Sequence, residues 1–203
     1  MATEPEHIRV TYNEVHNIIK RSAEQIREFK PDLLIAIGGG GFFPARVLRT
    51  FLKSPDTRKN VPIYAICLSL YEPVPGVTDE QIGSEVIRTQ WLGPEVAEIL
   101  LGKRVLIVDE VDDSRMTLQY AVSELQKDAE NALQSLPNHK REGAKTKFAV
   151  FVVHNKLKPK LGSLPKDIPY YVGDEVEDLW LDYPWEATDI EEHDRFAAAQ
   201  KKV

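Results

Sequence analysis

Four runs of apolar residues, "LLIAI" (33–37), "IYAICLSL" (63–70), "RVLIV" (104–108) and "KFAVFVV" (147–153), recur along the chain almost without polar interruption. A strand with one face in water alternates apolar and polar positions, so runs like these demand burial on both faces. The segments between them have helical period. Tyr12 to Phe29 gathers Val15, Ile18, Ile19 and Ile26 on one face behind a Thr11–Glu14 capping box, and Pro44 opens a helix in "PARVLRTFL". A third helix, from about Thr117, aligns Leu118, Val122 and Leu125. Strand, turn and helix in repeated succession predict an α/β fold, a mainly parallel sheet flanked by helices, within one domain spanning residues 1–203.

Charge and composition then exclude several classes. Thirty-two acidic against 26 basic side chains give a net charge of -6, which disfavours nucleic acid and anionic membrane surfaces. No apolar run approaches the roughly 20 residues of a membrane span. The start, "MATEPEHIRV", lacks the basic and apolar stretches of a secretory signal, so a cytoplasmic protein is expected. Cys67 stands alone and reads as a small buried apolar residue; the five histidines lack ligand spacing, which argues against zinc. Tyr71 to about Gly93 reads as a long mobile loop, and Asp128 to Thr146 as a helix extension followed by a surface insertion.

Two turns carry the chemistry. In sheets of this kind ligands bind beyond the carboxyl ends of the strands, where both "GGGG" (38–41) and "DEVDDSRM" (109–116) fall. Asp109, Glu110, Asp112 and Asp113 repel one another unless they differ in direction or a cation sits among them. Asp113 or Ser114 could cap the following helix, but capping needs one acid and leaves the adjacent Asp109 and Glu110 unexplained. A carboxylate pair accepts hydrogen bonds from a vicinal diol or ligates magnesium. "SRMT" adds helix-start N–H groups and two hydroxyls, the makings of a phosphate cradle. Diol holder and phosphate cradle side by side describe a sugar phosphate.

With these residues in view, the stretch resembles the diphosphoribosyl-binding signature of type I phosphoribosyltransferases. "IAIGGGGFFPARVLR" resembles their pyrophosphate loop, "LSLYE" the start of the mobile catalytic loop, and "DLWLDYPWE" the purine-binding end of the 6-oxopurine branch. With "RTQW" included, nearly the whole chain is similar to fungal hypoxanthine-guanine and xanthine phosphoribosyltransferases. The resemblance implies transfer of ribose 5-phosphate from phosphoribosyl pyrophosphate to hypoxanthine or guanine, or to xanthine, with magnesium (Mg2+), giving nucleoside monophosphates and pyrophosphate. It implies Asp109 and Glu110 on the ribose hydroxyls, Ser114, Arg115, Met116, Thr117 and Leu118 around the 5′-phosphate, and Asp113 beside N7 of the base. It further implies Lys156 on the exocyclic purine oxygen, Trp180 stacked on the base, and Leu181 meeting its edge through backbone. Gly38, Gly39, Gly40 and Arg88 would serve pyrophosphate, Ser69 and Tyr71 the mobile loop, and Glu186 would join Asp109 and Glu110 near the metal. A small hood from residues 170–203 and a homodimer are implied as well. Bland alternatives stand beside three of these: a solvated loop lysine for Lys156, with Lys158 and Lys160 as competitors for its role, and core packing for Trp180 and Leu181.

Two departures stand out. The family commonly has Gly where this chain has Arg115, and often Lys or Arg where it has Gly39. An arginine does not enter positive φ as cheaply as glycine. A dinucleotide-binding reading fails because Phe43 stands where a third glycine belongs, and a nucleoside triphosphatase fails for want of a Gly-x-x-x-x-Gly-Lys-Ser/Thr segment. The rival of a different class is a non-catalytic regulator that keeps the fold to sense nucleotide or phosphoribosyl pyrophosphate.

Overall fold

A computed structural model of the chain describes residues 7–53, 59–70, 86–93 and 98–200. Its strands are β1 (His7–Arg9), β2 (Leu33–Gly38), β3 (Ile63–Leu70), β4 (Val86–Gln90), β5 (Arg104–Asp112), β6 (Lys147–Lys156), β7 (Tyr170–Val176) and β8 (Trp180–Asp182). Its helices are α1 (Tyr12–Phe29), α2 (Phe42–Phe51), α3 (Met116–Gln134), α4 (Asn138–Arg141) and α5 (Ile190–Gln200). Six strands form one sheet in the order β4-β3-β2-β5-β6-β7, parallel except for β4 on its edge.

The apolar runs are buried on both sides as their composition requires. Against one face lie Ile19 and Ile26 of α1 and Leu48 of α2, packed on Leu34, Leu106, Val108 and Phe151. Against the other, Leu118, Val122 and Leu125 of α3 pack on Ile35, Ile107 and Val150. Each such leucine or isoleucine stabilises the fold by roughly 1.5–3 kcal/mol relative to exposure. Phe151 is wholly buried, so Phe151→Ala costs about 3–5 kcal/mol through lost contacts and the void left behind.

Helix ends differ from expectation in instructive places. The α1 capping box forms in full, with Thr11 and Glu14 exchanging bonds. Helix α2 begins at Phe42, two residues ahead of Pro44, with Gly41 as its cap. Helix α3 is capped by neither Asp113 nor Ser114: its cap residue is Arg115, at φ 69°. Strand β5 runs on through Asp112, so three of the four acids end a strand and only the residues after it turn. The segment expected as one long loop after Tyr71 holds strand β4 near its end, paired antiparallel to β3.

A second, two-stranded sheet joins β1 to β8 in parallel. The hood therefore pairs the C-terminal segment with the amino-terminal strand. His193 of α5 fastens the unit, its Nε2 2.9 Å from the Val10 carbonyl. Tyr170–Val176, expected within the hood, is instead the edge strand of the main sheet.

Candidate active site

Because β2 and β5 are sheet neighbours, the glycine turn and the acidic strand end meet at one edge. A Cβ on Gly40 would stand 2.0 Å from the Glu110 carboxyl carbon, and one on Gly41 would stand 2.5 Å from the Ile37 carbonyl oxygen. At Gly41 only glycine lets backbone approach backbone, whereas at Gly40 it is the Glu110 side chain that fills the space a Cβ would take. The Gly38–Gly39 peptide is cis. Between the turns opens a cleft of about 490 Å3, lined by Gly38, Leu68, Asp109 to Arg115, Thr117 and Leu118.

The acids in this cleft have unlike surroundings. Asp109 is 7% exposed; burial, then the adjacent Glu110 carboxylate, pushes its carboxyl well above the usual range. It accepts a 3.0 Å bond from the Glu110 N–H, while Glu110 Oε2 is buried with no hydrogen-bond partner. Asp112 is tied to Arg115 (2.7 Å to a terminal nitrogen) and to the Tyr170 hydroxyl (2.6 Å). Asp113 receives Lys156 at 3.0 Å and Lys158 at 2.8 Å. Burial alone would raise the Asp113 carboxyl, but hydrogen bonds from Lys158 and Lys156 outweigh it and hold the group below its ordinary value.

Strand β6 supplies Lys156 from its last, buried position, 6.0 Å from the centroid of the Trp180 ring. Trp180 is 58% exposed, which removes the core-packing alternative and leaves an open aromatic face. Leu181 is buried in the β1–β8 pair. The three lysines take separate posts, which the i, i+2 spacing alone did not assign. Lys158 bridges Asp113 and Asp178 (2.9 Å). Lys160 donates to the carbonyls of Asp112, Asp113 and Lys156 at 2.7–2.9 Å. Asp113, which lines the cleft with Asp109 and Glu110, thus holds Lys156, and Lys156 in turn stands beside the Trp180 ring.

Not every expected residue gathers here. The Arg88 guanidinium bonds Glu124 and Tyr120 of α3 and lies 4.1 Å over the Trp91 ring, so these partners, rather than the glycine turn, hold its charge. Ser69 belongs to β3, and Tyr71 lies outside the described residues. Glu186 takes a 3.4 Å bond from the Tyr183 N–H, its carboxyl raised by burial and then by Glu110.

Residues passed over in the sequence complete the site's support. Tyr183 donates to the Glu110 carbonyl at 3.1 Å and stands 2.8 Å from Nδ1 of the buried His154. Burial lowers the His154 pKa to about 4, so the neutral ring donates to the tyrosine oxygen. The signal was present as "VVHN" on an otherwise apolar strand: a polar residue there needs a partner.

Magnesium fits the cleft by its donors. Among the described residues no cluster of three or more His, Cys, Asp and Glu forms a self-contained metal cage. Buried Asp109 beside half-buried Glu110, whose Oε2 has no hydrogen-bond partner among the described residues, suits an ion that takes one or two carboxylates and fills its shell with substrate phosphates and water.

No family model matches the chain. It is 51% identical over 202 residues to a hypoxanthine-guanine phosphoribosyltransferase of Schizosaccharomyces pombe, covering 96% of each. It is 47% identical to xanthine phosphoribosyltransferase 1 of Saccharomyces cerevisiae, over 97% of this chain and 98% of that one. Among solved structures, a hypothetical protein from Neisseria gonorrhoeae with bound ppGpp aligns at a TM-score of 0.78 and 42% identity, over 98% of this chain and 99% of the other.

Proposed function

Because this chain belongs to the hypoxanthine-guanine and xanthine phosphoribosyltransferases of purine salvage, we propose that its cleft holds phosphoribosyl pyrophosphate and a 6-oxopurine in the posts described above. Asp109 and Glu110 accept hydrogen bonds from the two ribose hydroxyls. The N–H groups and hydroxyls of Ser114 to Leu118 take the 5′-phosphate, since the first turn of a helix has no acceptors of its own for them. The glycine turn lets pyrophosphate approach bare backbone. Trp180 carries the purine, Lys156 donates to its exocyclic oxygen, and the backbone at Leu181 meets its edge.

In the reaction the bond from C1′ to the pyrophosphate oxygen breaks, its electron pair leaving with pyrophosphate, and a bond from C1′ to the purine nitrogen forms. The sugar gains oxocarbenium-like charge on the way, and the base gives up a proton. Asp113, kept ionised by its two lysines, receives that proton at N7. Anionic side chains around the sugar stabilise the developing cation. Asp109 and Glu110, with Glu186 nearby, would hold a magnesium ion, which when bound would supply positive charge to offset that of pyrophosphate.

The single observation behind this reading is that Asp113, which lines one cleft with Asp109 and Glu110, holds Lys156, itself 6.0 Å from the centroid of the exposed Trp180 ring. Incubation with magnesium, phosphoribosyl pyrophosphate and each purine base should yield IMP and GMP, with xanthine giving XMP at a rate to be compared directly. Lack of product from every 6-oxopurine ends the proposal. We place the enzyme in the cytoplasm as a homodimer, to be checked by fractionation and sedimentation. The ppGpp found on the Neisseria gonorrhoeae relative favours one extension: a guanosine bearing phosphates at both ends competes for this cleft, raising the apparent KM for phosphoribosyl pyrophosphate without lowering kcat.

A further inference from the structure

The turn between β5 and α3 has an arginine where its backbone is left-handed. Arg115 sits at φ 69°, a region that residues with a Cβ enter at a cost and glycine enters freely. Its side chain is held from two sides. Asp112, its side chain fully buried, receives Nε at 2.9 Å and a terminal nitrogen at 2.7 Å. Tyr170, on the neighbouring edge strand β7, lies under the guanidinium at 4.8 Å and donates its hydroxyl to the same carboxylate at 2.6 Å. The turn's carbonyls are occupied as well: Ser114 accepts from the N–H groups of Leu161 and Gly162 at 3.0 and 3.1 Å, and Asp112 and Asp113 accept from Lys160.

We propose that Asp112 and Tyr170 are positioning residues for substrate binding: by gripping the guanidinium they hold Arg115 in the left-handed conformation that turns the following N–H groups into the cleft. The arginine acts through its backbone, its side chain being the handle. Tyr170 does not line the cleft, and Asp112, which does, keeps its side chain fully buried against Arg115. The inference rests on the placement of the 5′-phosphate at Ser114 to Leu118.

The test is a double-substitution cycle on phosphoribosyl pyrophosphate KM. Tyr170→Phe and Asp112→Asn each raise KM, by on the order of 5- to 30-fold for the stronger, which is the range of a left-handed backbone cost, and change kcat less than KM. Introducing Arg115→Gly beneath either substitution shrinks its effect at least fivefold, because glycine holds the turn without a handle. A glycine background that leaves both effects at full size overturns the proposal, as do KM values unmoved by Asp112→Asn and Tyr170→Phe. Should Asp112→Asn fail to fold, the Tyr170→Phe and Arg115→Gly cycle carries the test alone. Ser114→Ala separates the premise from the inference. If it leaves KM unchanged, the phosphate lies elsewhere and both fall; if it raises KM while glycine gives no relief, only the handle is wrong.

Discussion

The two ends of the acidic run Asp109–Asp113, at the carboxyl end of β5, treat negative charge in opposite ways. At Asp109 and Glu110 a buried and a half-buried carboxylate stand together with no basic partner among the described residues, and burial forces the Asp109 proton affinity up. At Asp112 and Asp113 every acid has a positive partner: Arg115 for one, Lys156 and Lys158 for the other. Desolvation favours the neutral form and a nearby cation the charged one, so burial of this strand end yields two chemistries within five residues. On the proposed reading, the first pair serves a diol and a metal-bearing substrate. The second includes a carboxylate held below its ordinary value by the lysines proposed to recognise oxygen.

The comparison breaks most visibly at Asp113. If its ionised carboxylate takes the purine proton, Asp113→Asn lowers kcat by on the order of 10^2- to 10^4-fold, the usual range for a positioned acid-base group. Nucleoside monophosphate affinity should change far less, as followed by titration calorimetry. Unchanged turnover would strip Asp113 of that role and leave it a partner for lysines.

At the other end, Gly40→Ala tests whether the glycine turn and Glu110 must share space. The added Cβ would lie 2.0 Å from the Glu110 carboxyl carbon, so the carboxylate must move. A displacement near 1 Å costs about 10^2-fold when it misplaces a reacting group; kcat/KM should fall by on the order of 10- to 100-fold while the melting temperature stays close to wild type. Wild-type kinetics would mean that Glu110 has room to spare and no fixed post.

Lys156 sharpens the same contrast through specificity. Its ammonium offers only donors, which suits an exocyclic oxygen and opposes an amino group. Lys156→Gln keeps a donor and adds an acceptor, so the preference for hypoxanthine over adenine should narrow by about tenfold, measured as the ratio of kcat/KM values. A ratio that does not move assigns oxygen recognition elsewhere, with Lys158 the nearest candidate.

Much of this architecture was legible in residue types. Both-sided burial of the four apolar runs gave the parallel sheet, and the Thr11–Glu14 box marked the first helix start. The cleft was legible because two unlike turns had to fall at one sheet edge. Partnership was less so. "DEVDDSRM" shows four acids but not which cation each receives, since Lys156, Lys158 and Lys160 come from a strand and loop more than 40 residues away. Arg88, which the resemblance offers to pyrophosphate in place of a basic residue at Gly39, has partners the sequence does not reveal for the same reason: Glu124 and Tyr120 of α3 and the Trp91 ring. Strand β4 and the hood strand β1 are short and polar, and short polar strands form only when a neighbour's edge is already built. Tyr170 was grouped with the hood because the chain's end looked continuous, whereas parallel pairing with β6 put it beside Asp112.

The smallest expected effect is also the one of most definite sign. A carboxyl whose folded pKa is raised binds more protons folded than unfolded, so stability falls as pH climbs from the ordinary carboxyl value of 3.8 toward the raised folded value, and the cost is complete above it. Asp113 is the reverse: its contribution is present above its unfolded value and is lost as pH falls through the lowered one. Its side chain is 46% exposed, so solvent screening keeps that contribution small. Asp109→Asn should therefore raise the melting temperature at neutral pH by a few degrees, about 1 kcal/mol being worth roughly 2–4 °C in a chain of this size, while weakening phosphoribosyl pyrophosphate binding. Asp113→Asn should lower it slightly. The Asp109→Asn difference should shrink on acidification toward pH 3, where the raised wild-type carboxyl is protonated, whereas the Asp113→Asn difference should persist to lower pH, until the lowered carboxyl takes up its proton. Melting curves that shift the same way for both variants at neutral pH would show that the two ends of the acidic run do not differ electrostatically, and the division of labour drawn from that difference would fail with it.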